Sequence, residues 1–272
     1  IEKFGCSLEA RYLQIFKGDE IEFPEDGYQG EDIKDLAKEY ADLNGDSLVN
    51  VSAEERKKAL VDYALPKNIE KMQADMEKYK IFYDKWFFES ELHKSGAVKA
   101  VVDLLTEKGL TYEKEGAVWY KNKEVLTQKL LKEGKSQKYI DNLELKDDVL
   151  IRQNGNPTYF TADIAYHKNK FDRGFTTLID VWGADHHGHV MRMKGAMDAI
   201  GYDGDKLNVV LMQLVKLVKD GELVRMSKRT GKAIQLGDLL DEVPVDSARF
   251  LFNTKEANTQ MDFDLDLAVS QD

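Results

Sequence analysis

The chain has 272 residues, 42% of them hydrophobic, with 39 basic and 50 acidic side chains and a net charge of −11. That length allows one large or two modest domains with an ample core, and the acidic balance argues against broad, non-specific nucleic-acid binding while leaving room for a local basic patch. The longest apolar runs are too short to span a bilayer, no secretory signal is visible, and a single cysteine, Cys6, excludes an internal disulfide framework and fits a reducing cytoplasm.

Only four prolines and no low-complexity tract argue against long disordered linkers. The first residue is Ile1 rather than Met, and the last five, Ala268 to Asp272, read as an interruption. A fragment or a processed chain is the expectation.

Residues 1–80 read as helical. Leu8, Tyr12, Leu13, Ile15 and Phe16 recur at helical spacing until Gly18 and Pro24 break the pattern. Gly30-Glu-Asp-Ile33 opens a second helix with acids in its first turn, which suits the helix dipole. Ser52-Ala-Glu-Glu55 is a capping-box pattern for a third, and residues 66–79 suit a fourth.

Residues 81–88 are aromatic and strand-like. Ala97 to Lys108 is an amphipathic helix stopped by Gly109. Thr111 to Tyr120 suits a hairpin with Glu115-Gly116 at its turn, and the charged stretch 123–147 suits a mobile or helical surface insertion. Asn154-Gly155 between the apolar runs 148–153 and 157–162 signals another hairpin. Asp163 to Lys170 should turn into helix. Thr177 to Trp182, bounded by Gly183, suits a buried parallel strand; His186 to Ile200 suits a helix ended by Gly201. Leu207 to Val218 reads as a further buried strand and its continuation. Strand, glycine, helix, strand, basic loop, helix is the order of a doubly wound α/β domain.

That basic loop, Glu222 to Gly231, carries Arg225, Lys228 and Arg229 within five residues, together with Ser227. A polyanion suits it, and a triphosphate best, because a flexible ammonium can follow charge as it moves between phosphates. The plainer reading is a solvated basic turn. Gly183-Ala-Asp-His-His-Gly-His189 directly follows a strand. Asp185 could accept two ribose hydroxyls there, and the helix start at 186 offers free N–H groups. Two rival readings stay open. One is a helix N-cap by Asp185 with solvated histidines. The other is a metal site from Asp185, His186 and His189, with His187 pointing elsewhere. Tyr159 and Asp163 share a face if helix begins near Tyr159. With Glu89, another acid adjoining an apolar segment, they would make a cradle for a planar guanidinium. Core packing for Tyr159 and an N-cap for Asp163 is the alternative. Asp262 to Leu267 alternates acid with apolar residues, as a short half-exposed strand or turn would.

Val224-Arg-Met-Ser-Lys-Arg-Thr-Gly231 resembles the KMSKS loop of class I aminoacyl-tRNA synthetases, and Gly183-Ala-Asp185 resembles their ribose-binding strand end. Tyr159 to His167, Arg173-Gly-Phe175, Val181 to His189, Asp262 to Ala268, and the opening Ile1-Glu-Lys-Phe-Gly with Ser7 to Leu13 are together similar to the arginyl-tRNA synthetase family. The resemblance covers most of the chain and is weakest at 35–80 and 121–147.

It implies a partial Rossmann-type, doubly wound α/β catalytic domain of the class I kind, with an α+β connective insertion. Residues 1–80 would be a helical segment, 81–157 the insertion with a flanking strand, and 158–272 the second Rossmann half. It further implies that arginine is joined to ATP, with Mg2+ accompanying the nucleotide, and then transferred to tRNA-Arg in the cytoplasm, with no part for a membrane. Tyr159, Asp163 and Glu89 would contact arginine. Gly183, Asp185 and His187 would lie at the ATP. Met226, Ser227 and Lys228 would close over the phosphates as the catalytic loop. The first signature position is Arg225 instead of Lys. Nothing resembles the family's HIGH motif, since none of His93, His167, His186, His187 and His189 sits in one. A segment inactive by itself is therefore expected. A non-catalytic synthetase-like binding module and a metal-dependent hydrolase using residues 185–189 are the rival functions.

Overall fold

The computed structural model describes residues 1–224 and 234–270. The chain divides into two compact units. One comprises Ile1–Phe82, Leu217–Asn253 and Phe263–Asp272; the other comprises Tyr83–Lys216 and Thr254–Asp262.

The first unit begins with α1 (Glu2–Lys17), α2 (Glu31–Asn44) and α3 (Ala53–Lys78). Their apolar faces meet in a core of Leu8, Tyr12, Ile33, Leu36 and Leu60. Tyr12 is fully buried, and its hydroxyl donates to the Gly45 carbonyl at 2.8 Å and accepts from the Leu48 amide at 3.1 Å. The capping pattern at Ser52 is realised, with the side chain accepting from Glu55 N at 3.2 Å. The expected break into third and fourth helices is absent: Pro66 lies inside one 26-residue helix. Packing of the helix outweighs the one intrahelical bond a proline removes. Arg56, also buried, donates to the carbonyls of Leu48 (2.7 Å), Val49 (3.1 Å) and Val51 (2.7 Å) and to Glu9 Oε1 (2.7 Å). One side chain thus satisfies a whole irregular connection between α2 and α3.

The second unit follows with α4 (Glu89–Lys94), α5 (Ala97–Glu107), β1 (Thr111–Lys114), β2 (Ala117–Tyr120), α6 (Asn122–Lys132), α7 (Gln137–Asn142) and β3 (Asp148–Ile151). The strand expected over 81–88 is not formed. These residues run irregularly, with no strand partner among the described residues, and Phe87 instead stacks on Tyr166 at 4.8 Å. Strands β1, β2 and β3 form an antiparallel sheet in that order. The β1–β2 turn uses Glu115 (φ 53°) and Gly116 (φ 74°), the two left-handed positions that a tight hairpin requires. The charged stretch 123–147 is largely helical.

The expected strand over 157–162 is a second correction. Only an isolated bridge joins Ile151 and Pro157, and the chain then enters α8 (Tyr159–Asp172). Thr158 caps that helix, its Oγ1 accepting from Thr161 N at 3.4 Å. Next come β4 (Leu178–Gly183), α9 (His187–Ile200) and β5 (Leu207–Met212). Strands β4 and β5 are parallel, in register from Leu178 opposite Leu207 to Gly183 opposite Met212, with α9 as the crossover. The sheet is buried on one face only: Leu178 and Asp180 are enclosed, whereas Ile179 and Val181 are exposed. The core of this unit joins Val101, Leu105, Leu150, Ile164, Leu178, Met193, Met197 and Leu207. Gly195 on α9 is required by close approach, since a Cβ there would lie 2.6 Å from Leu126 Cδ2 of α6.

The run 207–218 is two strands, not one. β5 stops at Met212, Gln213 N turns to the Ala257 carbonyl at 2.9 Å, and β6 (Val215–Lys219) starts anew. β6 forms a hairpin with β7 (Glu222–Val224). After the undescribed residues 225–233 come α10 (Leu236–Glu242), α11 (Val245–Phe252), β8 (Met261–Asp264) and α12 (Leu265–Val269). β8 is the third strand of the β7–β6–β8 sheet. Within the first unit, Arg249 of α11 donates to the Tyr79 carbonyl (3.0 Å) and Lys78 pairs with Asp241 of α10 (2.6 Å).

Candidate active-site cleft

Three elements of the second unit, α8, β4 and α9, build an open cleft of about 530 Å³. The first turn of α8 supplies Tyr159, Phe160 and Asp163; the end of β4 and the start of α9 supply Trp182, Asp185, His186, Gly188, His189 and Arg192. Because α8 starts at Tyr159, residues 159 and 163 lie one helical turn apart on the same face. The glycine at 183 has a local reason. A Cβ there would lie 2.5 Å from Asp185 Oδ1, so with glycine this carboxylate can fold back over the strand end, whereas a side chain at 183 would turn the exposed carboxylate aside.

The carboxylate of Asp163 is half-exposed, and its Oδ2 lies 3.1 Å from Nε2 of the well-covered His189. His189 sits between aromatic rings, 5.2 Å from Trp182 and 5.6 Å from Phe160. Arg192, one turn further on, lies over Phe160 at 4.9 Å and pairs with Asp148 of β3 at 3.1 Å. Burial pushes the Asp148 carboxyl up, and the opposing charges of Arg192 and His189 only partly offset it. Behind the cleft, Asp180 of β4 is enclosed between His167 Nε2 at 2.5 Å and Lys170 Nζ at 2.7 Å, both on α8. Burial alone would raise Asp180, but these two partners outweigh it and hold the carboxyl below its ordinary value.

Tyr159, Asp163 and Asp185, singled out in the sequence, therefore share one cleft. Tyr159 and Asp185 are largely free to meet a ligand, being 79% and 83% exposed. Gly183 ends the strand beneath them. His187 is exposed at the first residue of α9 and does not line the cleft. Glu89 stands at the start of α4, outside the cleft lining, its carboxylate 3.4 Å from His93. Met226, Ser227 and Lys228 lie outside the described residues. The sequence reading did not place Phe160, Trp182 or Arg192 here. The signal for part of this was present, since positions 186, 189 and 192–193 repeat at helical spacing. Among the described residues no group of three or more His, Cys, Asp or Glu side chains converges to hold a metal ion. Among them, too, no helix is long and apolar enough to cross a membrane.

A parallel β–α–β unit whose strand end opens on a polar cleft is the ligand-binding arrangement of α/β nucleotide enzymes. The family described as tRNA synthetases class I (R), catalytic domain, matches residues 28–271, and the chain belongs to that family. Family members of this class use ATP. The chain is 55% identical over 273 aligned positions to an arginine–tRNA ligase of Ruminiclostridium cellulolyticum, and 56% identical over 272 to that of Caldanaerobacter subterraneus. Each alignment covers 100% of this chain and 45% of the relative, so the chain spans about half the length of the curated relatives it matches. The structure is similar to that of a putative arginyl-tRNA synthetase from Campylobacter jejuni, with a TM-score of 0.81 and 34% identity over 98% of this chain and 54% of that one. The Thermus thermophilus arginyl-tRNA synthetase, at 17% identity and TM-score 0.64 over 97% of this chain and 52% of that one, shares the fold.

Proposed function

We propose that this chain supplies the arginine subsite and the second nucleotide-binding half of an arginine–tRNA ligase. Arginine, ATP as its magnesium complex, and tRNA-Arg are the substrates. A carboxylate oxygen of arginine attacks the α-phosphorus of ATP, the bond from that phosphorus to the bridging oxygen breaks, and pyrophosphate leaves. A ribose hydroxyl of the terminal adenosine of tRNA then attacks the arginyl carbonyl carbon, and AMP leaves. Translation of this kind implies the cytoplasm.

The observation that carries the reading is Asp163, a carboxylate offered to a cleft that also holds Tyr159 and the strand-end Asp185. In this reading Asp163 takes the guanidinium, whose planar fork of donors matches a carboxylate. Tyr159 flanks it, and Asp185 accepts ribose hydroxyls above Gly183. Met226, Ser227 and Lys228 supply the loop over the phosphates, where Lys228 stabilises charge moving onto pyrophosphate. Glu89 and His187 do not line this cleft, and the reading does not rest on them. Catalysis rests on positioning and charge stabilisation of an in-line attack.

The test is arginine-dependent exchange of pyrophosphate into ATP by the gene product that carries residues 1–272. Exchange that requires arginine and collapses at low arginine in Asp163→Ala supports the reading. Full exchange in the Asp163→Ala variant at every arginine concentration, or no response of the wild type to arginine, defeats it. A non-catalytic binding module would give the latter result with arginine still bound.

A further inference from the structure

His167 and Asp180 are a buried polar pair with no role in the chemistry above. They are 2% and 6% exposed, among the few polar side chains enclosed in the described core. His167 lies on α8 four residues after Asp163, and its Nδ1 is 2.7 Å from the Asp163 backbone carbonyl. A carbonyl can only accept, so Nδ1 carries the hydrogen. The other ring nitrogen, Nε2, is 2.5 Å from Asp180 Oδ2 on β4. The ring is packed edge-on against Trp182 at 6.2 Å, itself a wall of the cleft. One imidazole therefore touches both the turn of α8 that presents Asp163 and the strand that ends at Gly183, two residues before Asp185.

We propose that His167 is a positioning residue for the guanidinium subsite, holding the Asp163 turn in fixed relation to β4. The inference rests on the reading that Asp163 binds arginine. A slide or rotation of α8 over β4 breaks the His167–Asp180 contact, so the place of the Asp163 carboxylate is tied to the strand. Lys170 provides a built-in comparison. Its ammonium reaches the second oxygen of the same Asp180 at 2.7 Å and lies over the Tyr166 ring at 4.4 Å, but it is His167 that reaches the Asp163 carbonyl. Loss of either partner costs Asp180 a buried hydrogen bond. Loss of His167 alone also frees the Asp163 turn.

The experiment compares His167→Phe, His167→Gln and Lys170→Met in the gene product carrying residues 1–272, reading KM for arginine and for ATP in pyrophosphate exchange beside the thermal midpoint. His167→Phe keeps an aromatic ring and should raise the arginine KM by about tenfold to a hundredfold, the scale of a misplaced binding group. The ATP KM should stay within about twofold, as expected of an independent site. His167→Gln reaches Asp180 without also holding the Asp163 carbonyl. It should show the same arginine loss with a smaller fall in midpoint, and it carries the test if the Phe variant fails to fold. Lys170→Met should lower the midpoint yet leave both KM values within about twofold. An unchanged arginine KM in the His167 variants overturns the inference, as does an equal loss in Lys170→Met, or a parallel loss for arginine and ATP. A wild-type protein with no arginine-dependent exchange overturns the functional reading and this inference with it; the other outcomes strike the inference alone.

Discussion

His189 and Asp163 lie 26 residues apart in sequence and meet in the cleft, with Nε2 of the imidazole 3.1 Å from Oδ2 of the carboxylate. The contact leaves Oδ1 as the carboxylate's open face. It also orients the group, because His189 is itself held between Phe160 and Trp182. A carboxylate steered by a packed neighbour is pre-organised for a cation, and pre-organisation is what makes a charged contact strong.

Asp163→Ala should raise the arginine KM far more than the ATP KM. The side chain is 45% exposed, so the loss is that of a charge-assisted hydrogen bond and not of a fully buried ion pair. That is about 1.5–3 kcal/mol, or roughly tenfold to a hundredfold in affinity. Equal changes for both substrates in a variant with a wild-type thermal midpoint would remove Asp163 from the arginine subsite.

Asp185→Asn keeps the size of the side chain and the turn at Gly183 while removing its charge. ATP binding should weaken by about tenfold, the cost of losing one charge-assisted acceptor. Arginine binding to the nucleotide-free protein should stay where it was. Calorimetric titration of each ligand separates the two, and an unchanged ATP affinity would count against a ribose contact at a side chain that is 83% exposed.

Lys228→Ala should act on rate before affinity. If the ammonium follows charge onto the leaving pyrophosphate, it binds the transition state better than bound ATP, and only that difference accelerates the step. Arginine activation should slow by about a hundredfold to a thousandfold, the scale of losing one electrostatic stabiliser, with a smaller change in ATP KM. A rise in ATP KM with kcat intact would make Lys228 a ground-state contact.

Local chemistry was legible in the sequence wherever it was carried by neighbouring residues. The Ser52 cap, the Glu115-Gly116 turn and the strand–glycine–helix passage at Gly183 each depend on a few adjacent positions. The misreadings share one cause. The aromatic run 81–88 has strand composition, but a strand exists only through a partner, and among the described residues none pairs with it. Residues 66–79, expected as a separate helix, continue α3 through Pro66. Asn154-Gly155 does turn the chain, yet Thr158 then caps a helix where a second strand was expected. In the cleft, the pairing of Tyr159 with Asp163 follows from helical spacing. The approach of His189 to Asp163, and of Arg192 to Asp148, needs α9 to be laid against α8 and β3 and is invisible before folding. Glu89 shows the converse: an acid beside apolar residues, which the fold leaves exposed at a helix start.

Arg56→Met tests how the helical segment is held. The guanidinium supplies donors to three carbonyls and to Glu9, itself only 18% exposed. Removing it strands a mostly covered carboxylate and the connection between α2 and α3. The expected loss is about 3–5 kcal/mol, as for one partner of a buried pair. It should appear in denaturant titration as a lower midpoint at unchanged slope. A loss below about 1 kcal/mol would show that water replaces these contacts freely.

Asp148 gives a pH dependence of definite sign. Burial raises its carboxyl in the folded protein, and Arg192 and then His189 do not fully compensate; its Oδ2 and Arg192 Nε both lack a hydrogen-bond partner among the described residues. In the unfolded chain the group titrates near the ordinary aspartate value of about 3.9. Between that value and the raised one, the native state keeps a proton that the unfolded state has given up. The contribution of Asp148 to stability therefore falls as pH rises through this window, and the destabilisation is complete above it. Asp148→Asn removes the buried charge while keeping an acceptor for Arg192. The variant should be at least as stable as the wild type at pH 7.5, and its advantage should shrink as pH falls through the raised titration range of the wild-type carboxyl. Paired urea titrations across that range read the difference. A variant less stable at pH 7.5, with a gap that closes on acidification, would show that the 3.1 Å pair with Arg192 outweighs the cost of burial.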